Sequence, residues 1–314
     1  MVSLKHTSFQ IAVAAVVAAS PGLQAVGPER PVPADPAARA AEGPNRWATH
    51  FESSAALVDH GPWTTFLQAT TLEERGVTRV AFSALTGDHR EFLDGYINWL
   101  ATLKPSEWDR TEQLAYWINL HNALTVRVLA DSGGRGTVDR VRQFPVASSG
   151  PFAQPVVTVE GQPLSIDAIV QEVLRPNFSD TPFHYGLFTG AKGAPKLQRT
   201  AYEGATVIAS LEDQAREYVN GHGVRVTRNG VQLSSLYEWY AADFGGSDEA
   251  VLRHLGSYAN DRLKADLQMR GTIESYRYDL DVASIIPRRF DHFNTPGDRS
   301  LGLGDGSQSE GGGS

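Results

Sequence analysis

The sequence predicts an α+β fold, with a helical N-terminal half and a buried central helix packed on a small, mostly antiparallel sheet. Three observations carry this. Residues 114–129 are apolar around most of a helical circumference, which places that helix inside a domain. Short apolar pairs flank Glu160-Gly161 and Asn229-Gly230, the turn chemistry of hairpins. Helical patterns come first along the chain, and strands mixed with helices follow.

The elements follow in order. Phe92, Tyr96, Trp99 and Leu100 have helical spacing, and Pro105 closes that segment. The next helix opens within 106–111 and runs to about Ala130. Leu114, Trp117, His121, Leu124 and Val128 form one stripe, and Gly133-Gly134 stops it. Strands are expected at 156–159 and 163–165. A helix capped by Ser165 should then run to Leu174, before Pro176. Residues 183–188 read as a short buried strand, and 206–220 as an amphipathic helix. A second hairpin spans 224–227 and 231–233. Ser234 or Ser235 caps the next helix, and another covers 248–258.

The flanks have a different composition. Lys5 and His6 precede an apolar stretch at 11–19, too short to span a bilayer, and Pro21-Gly22 and Ala25 follow it. Residues 1–25 therefore read as a signal peptide, with no membrane span once it is cleaved. Residues 26–45 read as a Pro/Ala/Gly-rich linker, 46–293 as one globular domain and 294–314 as a disordered Gly/Ser tail. The expected location is periplasmic or secreted. The chain has no cysteine, which excludes a disulfide framework, a thiol nucleophile and a lipid-modified cysteine. Its net charge is −8, and no basic cluster exceeds Arg288-Arg289, so nucleic acid is an unsuitable partner.

Candidate chemistry centres on His184, which stands in an apolar run before a Gly-rich loop. Thr189 in that loop is a weak nucleophile that would need an adjacent base. Asp243 could orient a histidine as the third member of a triad, or cap the turn through Gly245-Gly246. Asn119 and Asn122 share a helix face, either as a substrate-facing or oxyanion-stabilising strip or as ties to neighbouring backbone. His121 points to the apolar stripe, away from the asparagine face. Trp239 and Tyr240 belong to an aromatic helix end and complete the candidate ligand-binding set. No H-E-x-x-H, paired-histidine spacing or G-x-S-x-G occurs, and no cofactor or metal site is expected from motifs.

Several segments, in order, resemble one family. They are AYWINLHNALTV at 115–126, GPFAQP at 150–155, PLSIDAIVQEVLRP at 163–176, HYGLFTGAKGAPKL at 184–197, LSSLYEWYAADF at 233–244 and YDLD at 278–281. Together they are similar to the domain of unknown function 547 family over roughly 53–281. The resemblance implies Glu-His where this chain has Val170-Gln171, and Asn-Cys where it has Phe188-Thr189. It also implies a second cysteine at Ala194 and a tyrosine at His121. Positions that keep the family pattern are Asn119, Asn122, His184, Pro195, Trp239, Tyr240 and Asp243. If family members pair cysteine with histidine, as papain-like or transglutaminase-like sites do, this chain has lost both; that likeness is an analogy of fold alone. The resulting expectation is an exported, non-catalytic member that binds a peptide, lipid or small ligand in a retained cleft. The alternative is a hydrolase or acyltransferase with His184 as general base, acting on water or a non-cysteine nucleophile. A tight hydrogen-bonded array of ionisable groups around a solvent-open hollow would overturn the non-catalytic expectation and make catalysis the leading reading.

Overall fold

The computed structural model describes residues 45–138 and 150–285. The signal segment, the linker up to residue 44, the domain's last residues 286–293 and the tail lie outside the described residues.

Helix α1 (Gly61–Thr70) leads into a hairpin, β1 (Thr71–Glu74) and β2 (Val77–Val80), paired antiparallel from Thr71↔Val80 to Glu74↔Val77. The hairpin interrupts the helical N-terminal half expected from the sequence. Its turn residues, Arg75 and Gly76, both hold positive φ, at 53° and 74°. Such a two-residue turn normally takes Asn-Gly or Asp-Gly, so Arg-Gly gives little warning. Helix α2 (Asp88–Thr102) follows, and then the central helix α3 (Arg110–Asp131). The Asp109 carboxylate caps α3 by accepting from the amides of Thr111 and Glu112. Every residue from Glu112 to Val126 is buried.

The fold class is α+β, as predicted, but α3 does not lie on one sheet. Among the described residues the strands are divided among three small sheets, and α3 packs mainly against helices and turns. Strands β3 (Val157–Val159) and β4 (Gln162–Leu164) form the second hairpin. In the third sheet, β5 (Val224–Val226) pairs antiparallel with β6 (Val231–Ser234), which pairs parallel with β7 (Ile273–Arg277).

Ser165 caps a continuous helical run, α4 (166–177), through a bond from the Ala168 amide. Its middle, Ile169–Leu174, is a π turn in which the Arg175 amide bonds back to the Val170 carbonyl. Helices α5 (Val207–Tyr218), α6 (Ser235–Trp239), α7 (Asp248–Tyr258) and α8 (Asp261–Arg270) complete the described chain. The cap of α6 falls on Ser234, whose hydroxyl accepts from the Leu236 amide.

The run 183–188 is buried as expected, but it is not a strand. Phe183–Gly186 is a 3-10 turn, in which Tyr185 N–H bonds to Pro182 and Leu187 N–H to His184. The backbone beyond the turn is satisfied by a side chain rather than a neighbouring strand. Asn122 of α3 donates to the Gly186 carbonyl and accepts from the Phe188 amide, each at 2.9 Å.

Two apolar clusters build the core. One surrounds α3; the other gathers Tyr185, Tyr218, Tyr237, Phe244, Val251 and Leu255. Tyr240 packs against both, so it marks the seam between them. No helix among the described residues is long and apolar enough to cross a membrane.

Candidate functional site

A small cavity opens at that seam. It measures about 50 Å³. On the scale where one water needs roughly 10–15 Å³, that is room for about four heavy atoms. His184, Thr189, Trp239, Tyr240 and His121 all line it, so five of the residues predicted from sequence converge. Val170, Leu187, Pro195, Leu236 and Ile166 give it apolar walls.

His184 is fixed on several sides. Its ring lies 4.1 Å from the Phe183 ring centroid, 4.5 Å from Tyr240 and 5.3 Å from Phe244. Its Nε2 lies 2.9 Å from Asp243 Oδ2. Arg175 closes on the same carboxylate in bidentate fashion, Nε to Oδ2 at 2.6 Å and Nη2 to Oδ1 at 2.7 Å. The remaining guanidinium nitrogen, Nη1, donates to Gln171 Oε1 at 2.7 Å. Of the two readings of Asp243, the carboxylate orients a histidine rather than capping the Gly245-Gly246 turn. The π turn supports this geometry from the other side, since α4 supplies both Val170 in the cavity wall and Arg175 behind the histidine.

The electrostatics are consistent with one protonation state. Burial alone would raise the Asp243 pKa, but hydrogen bonds from His184 and Arg175, with the guanidinium charge, hold it at about 2. Burial pushes the His184 pKa below its ordinary value; the Asp243 carboxylate opposes this only in part, and Arg175 adds to the lowering. At neutral pH, Asp243 is therefore ionised and His184 neutral. An ionised carboxylate only accepts, so the histidine hydrogen sits on Nε2 and the lone pair on Nδ1. Nε2 is thus the nitrogen held by Asp243.

Thr189 lines the cavity, but its hydroxyl pairs with Tyr278 Oη at 3.1 Å, not with His184. Tyr278 belongs to a segment that covers the Gly-rich loop. Gly193 N–H bonds to the Asp279 carbonyl at 2.9 Å, and Lys192 N–H to the Asp281 carbonyl at 2.8 Å. The rings of Tyr278 and Trp239 lie 4.7 Å apart.

Asn119 and Asn122 tie backbone rather than face the cavity. Asn119 donates to the Tyr202 carbonyl at 2.8 Å and accepts from the Tyr202 amide at 3.0 Å. Asn122 grips Gly186 and Phe188 as described. His121 is not turned away from the asparagines: its Nδ1 lies 3.0 Å from Asn122 Oδ1, and it borders the cavity. Neighbouring residues on a helix diverge, but an imidazole and an amide are long enough to bridge that angle.

Sequence reasoning missed Phe152, Asp167 and Tyr278 as cavity residues, and Arg175 as the partner of Asp243. Phe152, Asp167 and Arg175 fall in segments that carry the family resemblance, as does Tyr278; none stands in a spacing that names a role. Among the described residues, no cluster of three His, Asp or Glu could hold a metal ion.

Residues 105–219 match the sequence model of a family described as Protein of unknown function, DUF547. No curated protein and no solved structure matches the chain significantly. The likeness to papain-like or transglutaminase-like folds thus rests on analogy alone.

Proposed function

We propose that this chain, a DUF547 family member over residues 105–219, is an exported protein that captures a small ligand or side chain in the cavity beside His184 without transforming it. One observation carries this reading. Val170 and Thr189, two positions where the family resemblance implies reactive side chains, both face the cavity that His184 lines. A valine offers no proton to transfer. The threonine hydroxyl bonds to Tyr278 and lacks the base contact that would activate it. What remains is a compact, mostly apolar hollow beside His184, which the Asp243–Arg175 pair holds in place. Mostly apolar walls with a few fixed polar groups are the usual make-up of a binding pocket. The export part rests on the N-terminal pattern alone.

The second reading, hydrolysis or acyl transfer, is favoured by the Arg175–Asp243–His184 array, since a carboxylate that orients a neutral histidine is the support a general base needs. It ranks second because, among the described residues, no nucleophile is bonded to that histidine, and Arg175 already neutralises the carboxylate. The deciding experiment is a panel of ester, amide and peptide substrates beside a ligand-binding screen on the same protein. Binding without turnover supports capture. Turnover abolished by His184→Ala overturns it.

A further inference from the structure

We propose that the open edge of β5 is a docking groove for an extended peptide segment that carries an acidic side chain. None of the β5 residues lines the cavity beside His184. The backbone directions of the sheet identify the edge. Val231 of β6 sends its N–H to the Thr272 carbonyl, on the β7 side, at 2.9 Å. Thr227 sends its N–H to the Gly230 carbonyl across the hairpin at 3.0 Å. Along an antiparallel pair, bonded and non-bonded positions alternate. Arg225 is thus the β5 residue bonded to its partner Gln232, whereas Val226, opposite Val231, turns its N–H and C=O away from the sheet. Among the described residues no strand stands on that side of β5. An uncovered strand edge is a template on which another chain can pair.

An open groove of about 560 Å³ runs along this edge. Val224 and Val226 line it from the strand, and Arg262, Leu263, Asp266 and Arg270 line it from α8. Arg262, Asp266 and Arg270 are spaced i, i+4 and i+8, so they follow the groove for about 12 Å. That is the length of roughly three to four extended residues, a match for the short strand opposite. Two contacts fix the direction. The Asn260 amide, just before α8, donates to Asn220 Oδ1 at 2.8 Å, and Arg270 Nη1 donates to the Arg228 carbonyl at 2.7 Å. Arg262 therefore stands toward the Val224 end. Charge then selects the occupant. Arg270 is engaged by Arg228 and by Asp266, with Nε 3.4 Å from Oδ1. Arg262 is exposed and, among the described residues, has no hydrogen-bond or ion-pair partner. A carboxylate laid in the groove meets that guanidinium, whereas a basic segment meets repulsion there and finds Asp266 already paired. A terminal carboxylate is usually captured by clustered backbone amides; the cation here is a side chain beside a strand, which suits an acidic residue within a segment. Because α8 forms the far wall, the space takes one extended chain rather than the edge of a second folded sheet.

The test has two parts, both on the full chain. The first is amide hydrogen exchange by NMR. In the free protein, Val226 N–H should exchange at least about tenfold faster than Arg225 N–H, which is bonded within the sheet. Equal protection in a monomer overturns the proposal, because another part of the chain then covers the edge. In the second part, a random heptapeptide display library is selected on the protein, and enriched peptides are synthesised with acetyl and amide caps. They should carry aspartate or glutamate, and their binding should slow exchange at Val226 at least about tenfold. Arg262→Glu should weaken binding at least about tenfold, through loss of a charge-assisted bond and added repulsion. Val226→Pro should abolish binding; a strand edge tolerates proline there because that N–H makes no ladder bond. Arg262→Glu changes an exposed side chain and decides the matter if the proline variant does not fold. A selection that yields no binder overturns the proposal, as do enriched peptides without acids. Binding that Arg262→Glu leaves unchanged, or that a folded Val226→Pro variant retains, overturns it as well. A concentration-dependent dimer that protects Val226 assigns the edge to a second copy and likewise overturns it.

Discussion

His184 Nε2 and Asp243 Oδ2 stand 2.9 Å apart, joined across 59 positions of sequence. Arg175 shares that carboxylate, and its own side chain is only 8% exposed. Asp243→Asn would leave the guanidinium buried without a counter-charge, and an amide cannot accept from Arg175 at both atoms. Removing one partner of a buried pair costs about 3–5 kcal/mol. Asp243 keeps 19% of its side chain exposed, so the low end, about 3 kcal/mol, is expected. Urea denaturation of the variant checks it. Arg175→Met removes the charge as well as the partner, and in the Asp243→Asn background it should recover part of the loss.

The loop that carries Thr189 is held down by close backbone contact. A Cβ on Gly193 would meet the Asp279 amide nitrogen at 2.6 Å and its carbonyl oxygen at 3.1 Å. Backbone atoms cannot rotate away as a flexible side chain can. Gly193→Ala is therefore expected to push the Tyr278–Asp279 segment outward and destabilise the fold by about 1–3 kcal/mol, the usual cost of overpacking. The same shift should lengthen the Thr189–Tyr278 contact. A thermal melt reads the first effect. The second should appear as a changed NMR environment of the Trp239 indole, which packs on Tyr278.

Acid should weaken the fold through His60, which does not line the cavity. His60 is fully buried, with Nδ1 2.7 Å from Tyr96 Oη, and among the described residues its Nε2 has no partner. Burial pushes its pKa down to about 4, against a partial opposing effect of Asp59. Unfolded, the ring binds a proton near pH 6.5; folded, only near pH 4. Between those values the unfolded chain holds more protons, so stability rises with pH and is lost as pH falls. The loss through this ring is about 3 kcal/mol between pH 6.5 and pH 4. Burial of His254 acts in the same direction, and the raised pKa of Glu112 opposes it. His60→Gln should flatten the wild-type slope by that amount. Urea midpoints at a series of pH values in this window give the comparison, and parallel curves would refute it.

The features legible in the sequence are those that local chemistry dictates. The central helix announced itself through its apolar circumference and the Gly133-Gly134 stop, while its start was legible only to within 106–111 and the Asp109 cap emerged from the structure. The Asn229-Gly230 hairpin followed from its turn residues, and the 248–258 helix was expected without its Ser247 cap. The cavity was legible only in part. His184, Thr189, Trp239 and Tyr240 stood out by residue type in apolar or Gly-rich surroundings. Arg175 did not, because one arginine near the end of a helix has no pattern that names a partner 68 positions away. Tyr278 reaches Thr189 only because the segment after β7 folds back over the Gly-rich loop, a tertiary event without a periodic trace. The run 183–188 was misread because apolar content reports burial, whereas the choice between strand and turn depended on Asn122, an acceptor and donor more than 60 positions away.

The absence of cysteine makes the cavity directly testable by a single introduced thiol. Thr189→Cys replaces a hydroxyl that lines the hollow with a side chain of similar size, so the fold should tolerate it. Its reactivity then reports access. A hollow of about 50 Å³ admits a methylthiolating reagent but not a bulky aromatic disulfide. The small reagent should modify the variant at least about tenfold faster than the large one, beyond their ratio on a free thiol. Thiol attack requires the thiolate, and apolar walls disfavour that charge, so both rates should be slow against an exposed cysteine. The Asp243-aimed His184 is neutral and offers no compensating positive charge. Rates measured by mass spectrometry decide the point. Rapid modification by both reagents would mean that the hollow is wide and polarising, and would return catalysis to the leading place.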